Sequence, residues 1–408
     1  MSDRVVVLDN GGSTCKVGVN LKHQPHSVFP NGTGKIKGER QPLVGDQLLA
    51  CGDLSTVSIR RPIDRGYLVN SELEREIWAR AFRSVLKVDP NSSSLLLTEA
   101  PFALPAVEEL TAQLVFEDFG FHSCLRVPAA TLAQKAHCQD QPGIAANRAA
   151  CGLVVDAGFS FTHVVPVFDA HAISSGIKRI NIGGKLLTNY LKELVSYRSI
   201  NMMEETYLME HIKEQACFVS TDLRADLHIS RARQSPNRRE YVLPDGVNST
   251  TGFLRIPADP LPGSSRQPTV HEKSSEQVLM MNNERFLVPE VLFSPGDLGL
   301  QQAGLAEAIV QALEGVHESL HPLLLSNILL TGGSAACPGF AQRLLADLRP
   351  LVSDEYEVGV YMPDDPITCA HRGGALLAAS PAFGQAAMTR QAYEEEGAAR
   401  MQTIANDD

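Results

Sequence analysis

The sequence predicts an α/β protein made of two similar halves that face each other across a cleft. Three observations carry this. Apolar runs of strand length alternate with helical patterns along the chain. The stretches VVVLDNGG (5–12) and LVVDAGFS (153–160) share one design: an apolar strand, an aspartate, a small or polar residue, then glycine. Glycine turns at Gly11–Gly12, Gly158, Gly183–Gly184 and Gly332–Gly333 each follow a strand or open a helix. The repeated design puts Asp9 and Asp156 at matching points, one carboxylate from each half.

The elements follow in order. Residues 5–9 read as a buried strand running into a glycine turn. Residues 71–86 read as a helix, with Ser71 and Glu74 in a capping-box pattern. Its apolar face carries Leu73, Ile77, Trp78, Ala81, Phe82 and Val85, so the lone tryptophan belongs to the core. Residues 94–97 and 153–156 are further buried strands, and 185–199 suits a helix. NILLTGG (327–333) is a strand entering a double-glycine turn, with a helix from Phe340. Residues 253–277 read as a long loop rich in Pro, Ser and charge, and EEEG (394–397) as a solvated helix end.

Bulk properties narrow the function. The 408 residues suffice for one large domain or two medium ones, and 44% hydrophobic with 20% charged is ordinary for a globular protein. No segment approaches the ~20 apolar residues of a membrane helix. MSDRVVVLDN lacks a signal-peptide layout, which predicts the cytosol or nucleus and no membrane partner. Eight scattered cysteines form no C-x-x-C pair and read as buried, reduced thiols rather than a zinc knuckle. A net charge of −11 argues against nucleic-acid binding over the whole surface. The one basic run, RARQSPNRR (231–239), reads as a solvated loop.

The glycine turns point to phosphate chemistry. A polyphosphate needs bare backbone N–H groups, a cation, and magnesium anchored by carboxylates. Gly11, Gly12 and Gly158 permit the close backbone approach, Lys16 supplies the cation, and Asp9 and Asp156 can hold magnesium through its waters. Gly183–Gly184 and Gly332–Gly333 open towards helices and add further ways to hold a nucleotide.

Together these motifs resemble the actin superfamily, and the resemblance runs through nearly the whole chain. DNGGSTCKVG resembles the first phosphate loop of actin and VVDAGFSFTHVVP the second. IKEQACFV, NERFLVPEVLF, NILLTGGSAACPGF, RGGALLA and RQAYEEEG match later actin segments in the same order. RGYLVN, RINIGGKLLTNYLKELVSYR and YVLPD point to the nuclear actin-related branch. The resemblance implies the fold shared by actin, Hsp70 and sugar kinases, with four subdomains. Subdomain 1 would comprise 1–31, 63–146 and 368–408, and a shortened subdomain 2 would be 32–62. Subdomain 3 would comprise 147–181 and 301–367, and subdomain 4 would be 182–300.

Residue by residue, the resemblance implies a nucleotide site of Asp9, Gly11, Gly12, Lys16, Asp156, Gly158, Gly183, Lys213, Glu214, Gly332 and Gly333. The departures matter more. The phosphate-loop serine of actin falls on Gly12, its second-loop aspartate on Phe159 and the following glycine on Ser160. Its water-orienting glutamine falls on Ala129, the tyrosine beside adenine on Cys337 and a cleft lysine on Ile367. Hydrolysis needs a positioned water and a well-held metal. Losing one such group commonly costs ~10²–10³ in rate, so no catalytic residue is assigned. ATP or ADP with magnesium can still sit as a structural wedge, and an empty cleft with Phe159 packed into it is the other reading. His163 has two readings as well: near the catalytic water, as the family implies, or turned inward onto backbone.

Three functions compete: an interaction subunit, a polymerising ATPase with slow hydrolysis, and a metabolite kinase. No carboxylate base aimed at a substrate hydroxyl is recognisable for a kinase. Filament growth needs two matching surfaces. Here Pro30–Pro62 is shorter than its actin counterpart and the stretch before NERF is longer. The resemblance therefore implies a non-catalytic subunit of a nuclear Swr-type chromatin remodelling complex, which exchanges nucleosomal histone dimers for the Z-type variant. Its partners would be a Snf2-type motor, a small zinc-finger subunit, other remodeller subunits and, through the complex, the nucleosome's histones and DNA.

Overall fold

The computed structural model describes residues 4–19, 24–51, 53–140, 151–232, 234–245, 251–255 and 276–398. Two six-stranded sheets repeat one topology. The first runs Met388–Thr389, Ser123–Pro128, Ser94–Glu99, Val5–Asn10, Thr14–Val19, Ser27–Pro30. Val5–Asn10 pairs antiparallel with Thr14–Val19 and parallel with Ser94–Glu99. The second sheet does the same: Cys151–Ala157 pairs antiparallel with Thr162–Phe168 and parallel with Ile328–Thr331. Lys178–Ile180 and Val360–Tyr361 flank that set. The duplication read from the two glycine turns is therefore a duplication of whole sheets.

The continuous apolar runs follow from burial on both faces. Val6 and Leu8 pack with Trp78 and Phe82, while Val5 and Val7 pack with Leu132 and Ala375. In the other sheet, Val154 and Val165 pack with Ala130, Ala133 and Cys369. The helices Ala129–Asp140 and Cys369–Ala378 thus lie between the sheets and touch both. Gly373 makes their crossing possible, since a Cβ there would collide with the Leu132 carbonyl. Among the described residues, a two-stranded pairing of Ile63–Asp64 with Tyr67–Leu68 and two three-stranded sheets complete the fold. One of these sheets joins Leu43–Val44, Thr33–Ile36 and Val57–Arg60; the other joins Phe253–Arg255, Arg239–Val242 and Val278–Met281.

Several expectations change in detail. The 71–86 helix is α-helical only over Ser71–Arg80 and winds as a π-helix from Ala81 to Leu86. Its cap is Asn70, whose side chain accepts from the Leu73 N–H at 2.9 Å. The capping box is absent because Glu74 is wholly buried and bonded to Asn10 instead. The 185–199 helix spans Gly184–Arg198, and Trp78 is core at 1% exposure. The 253–277 loop begins as a strand, because Phe253–Arg255 pairs with Arg239–Val242; residues 256–275 lie outside the described ones. In 231–239, Arg231, Ala232, Gln234, Pro236 and Arg238 are exposed as a solvated loop requires, while Ser235 is buried and Arg239 starts a strand. All eight cysteines are free thiols.

Candidate functional site

The two matched turns open onto one cavity of about 470 Å³, within the ~300–1,000 Å³ range of small-molecule sites. Each turn closes with the same bond: the Gly11 N–H donates to Thr14 at 3.2 Å, and the Gly158 N–H to Phe161 at 3.0 Å. Strand register then decides what faces what. Asp9 pairs with Lys16, and Asp156 pairs with His163.

In the first turn, Lys16 Nζ lies 3.1 Å from Asp9 Oδ2, and the Thr98 hydroxyl donates to Asp9 Oδ1 at 2.8 Å. In the second, Asp156 is half-buried and its carboxyl is raised to about 6, first by desolvation and then by Asp9, against the pull of Lys16. His163 is pushed down to about 4 by burial and by Arg179, so it is neutral. It lines the cavity, and its Nε2 has no hydrogen-bond partner among the described residues.

Of the expected site residues, Asp9, Gly11, Gly12, Lys16, Asp156, Gly158, Lys213, Glu214, Gly332 and Gly333 all line this cavity. Gly332, at φ +89°, sits so close to the second turn that a Cβ would come within 2.7 Å of Asp156 Oδ1. Gly183 is not in the lining. It is a packing glycine: a Cβ there would stand 2.5 Å from the Phe159 carbonyl oxygen. The N–H groups of Gly184 and Lys185 donate to the carbonyls of Gly158 and Phe159, at 3.0 and 2.9 Å. This helix start is therefore bonded to the second turn and not offered to a ligand. Lys213 supports it by donating to the Gly184 carbonyl and Thr188 Oγ1, both at 3.0 Å.

The departures line the same cavity: Gly12, Ala129, Phe159, Ser160, Cys337 and Ile367. This arrangement of paired sheets, matched turns and one shared cavity spans the chain, and so does the sequence match. A family model described as "Actin" matches residues 2–404. The chain belongs to the actin family. A protein named actin-related protein 6 from Arabidopsis thaliana is 46% identical over 97% of this chain and 98% of its own length. Proteins of the same name from Drosophila melanogaster and Dictyostelium discoideum are each 37% identical over 97% of this chain, covering 98% and 93% of their own lengths.

Against the actin-family pattern, the unexpected feature is how Phe159 is held. A Cβ on Gly12 would stand 3.5 Å from Phe159 Cδ1, and one on Gly184 would stand 3.4 Å from Cδ2. The ring therefore spans from one half to the other. The Arg61 guanidinium covers it, 4.6 Å from the centroid. Arg61 also pairs with Glu210 at 2.7 Å and donates to the Ser13 carbonyl at 2.6 Å, with both ionic side chains about nine-tenths buried. Two further ties cross the cleft: Lys185 to Asp64 at 2.5 Å, and Arg179 to the Tyr67 hydroxyl at 3.1 Å. Arg179 also lies over Phe161 at 4.5 Å. Leu54, from the small 33–60 region, joins the apolar core of the second half.

Arg61 and Glu210 were missed from sequence, and Glu74 was read as a capping residue. Arg61 and Glu210 are 149 positions apart, and neither carries a local motif. Behind the first turn, the Asn10 amide donates to Glu74 and accepts from Asn31 at 3.1 Å and Trp78 Nε1 at 3.3 Å. Burial raises the Glu74 carboxyl to about 7. The residues fit a phosphate with magnesium: bare glycine turns, two carboxylates whose mutual repulsion Lys16 offsets only in part, and a buried unpaired ring nitrogen at His163. Asp9 and Asp156 would hold the metal through waters. Among the described residues there is no cluster of three His, Cys, Asp or Glu side chains suited to direct ligation.

Proposed function

We propose that this chain is a non-catalytic subunit of a nuclear chromatin remodelling complex of the Swr type, with a cleft that binds adenine nucleotide as a structural wedge. Phe159 carries the non-catalytic reading. Where a nucleotide-hydrolysing relative has a carboxylate beside the metal, this chain has an apolar ring clamped between Gly12, Gly184 and Arg61. Ala129 lines the same cavity and offers no amide to orient a water. ATP turnover in the complex then belongs to a separate Snf2-type motor. This chain is a rigid platform for that motor, for a small zinc-finger subunit, and through them for the nucleosome.

The family membership, the names of its relatives and the retained glycine turns support this reading. The test is a native pull-down of the tagged full chain from nuclear extract. Mass spectrometry would identify the co-purifying chains, and chromatography of an acid extract would detect nucleotide. A Snf2-type motor and a zinc-finger protein in near-stoichiometric amounts are expected, with an adenine nucleotide peak. Recovery of the chain alone or self-assembled, with ATP turnover abolished by Asp156→Ala, would instead establish an actin-like ATPase.

A further inference from the structure

We infer that Phe159 makes the cleft selective for a nucleoside diphosphate over a triphosphate; this rests on the nucleotide-binding reading above. The argument is geometric. A polyphosphate gripped by both turns has to lie between Gly11–Gly12 and Gly158, beside Lys16. The gap that would continue this path runs between Gly12 and Gly184, and the Phe159 ring fills it, with one edge towards each glycine. Ser160 closes the remaining side: its Oγ lies only 2.9 Å from where a Cβ on residue 12 would be. The ring has no hydrogen-bond donor for phosphate oxygens.

Charge agrees with shape. A third phosphate brings more negative charge, and the nearby cations are already engaged. Arg61 is bonded to Glu210 and Ser13, and Lys213 to Gly184 and Thr188. Releasing Arg61 would leave Glu210 buried without its partner. Lys16 is itself paired with Asp9 at 3.1 Å, and Arg179 in the cavity lining donates to the Tyr67 hydroxyl and covers Phe161. Shape and charge thus both stop the site at two phosphates.

The test is calorimetric titration of the nucleotide-stripped full chain with MgADP and with MgATP. MgADP should bind at least about tenfold more tightly. Phe159→Ala should bring MgATP to within about threefold of MgADP by opening the gap. Phe159→Leu, which keeps the apolar contact with less reach, guards against a folding failure and should recover part of that gain. Equal or tighter MgATP binding by the unaltered chain overturns the inference while leaving the nucleotide reading intact. So does selectivity that persists in both variants. Absence of binding by either nucleotide overturns the nucleotide reading, and the inference falls with it.

Discussion

The two glycine turns have the same backbone and opposite contents. Aligned by register, Asp9 and Asp156 correspond, as do Lys16 and His163. Counting along each turn, Asn10 answers to Ala157 and Gly12 to Phe159. The first turn is polar and supplies a cation. The second is apolar and supplies a neutral imidazole and a ring. Equal geometry therefore does not mean equal chemistry: one turn carries a cation among polar groups, and the other carries an aromatic ring on which the two halves also meet.

The largest expected effect comes from breaking that meeting. Arg61→Ala leaves Glu210 buried and unpaired and uncovers Phe159. It should cost about 3–5 kcal/mol of stability, read as a lower urea midpoint at unchanged slope. Next is the cation that only the first turn has. Lys16→Ala should weaken nucleotide binding by about 2–5 kcal/mol, whereas His163→Ala at the matching position should change it by less than about threefold. Titration calorimetry of the two variants side by side tests whether the turns are as unequal as their contents.

Glu74 gives a pH-dependent contrast, because the amide network behind the first turn has no counterpart at Ala157. With its carboxyl raised to about 7, the folded chain keeps a proton that the unfolded chain releases above about 4.5. Stability from this group therefore falls as pH rises from about 4.5 to 7. Glu74→Gln cannot ionise and should be increasingly stabilised relative to the parent across that window, by of order 1–3 kcal/mol. The buried His163 and His371, both lowered to about 4, slope the other way. They are present in both proteins, so the difference in melting temperature isolates Glu74. The smallest effect should be Lys185→Ala. Its partner Asp64 is half exposed, and loss of that tie should cost under about 1 kcal/mol in the same urea titration.

What could be read from sequence was what is decided locally. The matched turns show because glycine is required where backbones approach, and the 184–198 helix and Trp78 show through apolar periodicity. Glu74 misled because an acid in the first turn of a helix ordinarily caps or faces solvent. Here tertiary burial beside Asn10 overrode that preference. Arg61 was silent, since its meaning arises only when Ser13, Phe159 and Glu210 converge from three parts of the chain. Gly183 looked like a ligand-binding glycine, but its motif cannot reveal that Gly158 and Phe159 had already taken the helix's first N–H groups.

The ties across the cleft also bear on how it opens. Arg61–Glu210, Lys185–Asp64 and Arg179–Tyr67 join residues 149, 121 and 112 positions apart in the chain. Each bond is modest, but separating the halves breaks all three together, so opening of the cleft is a cooperative event and not a gradual one.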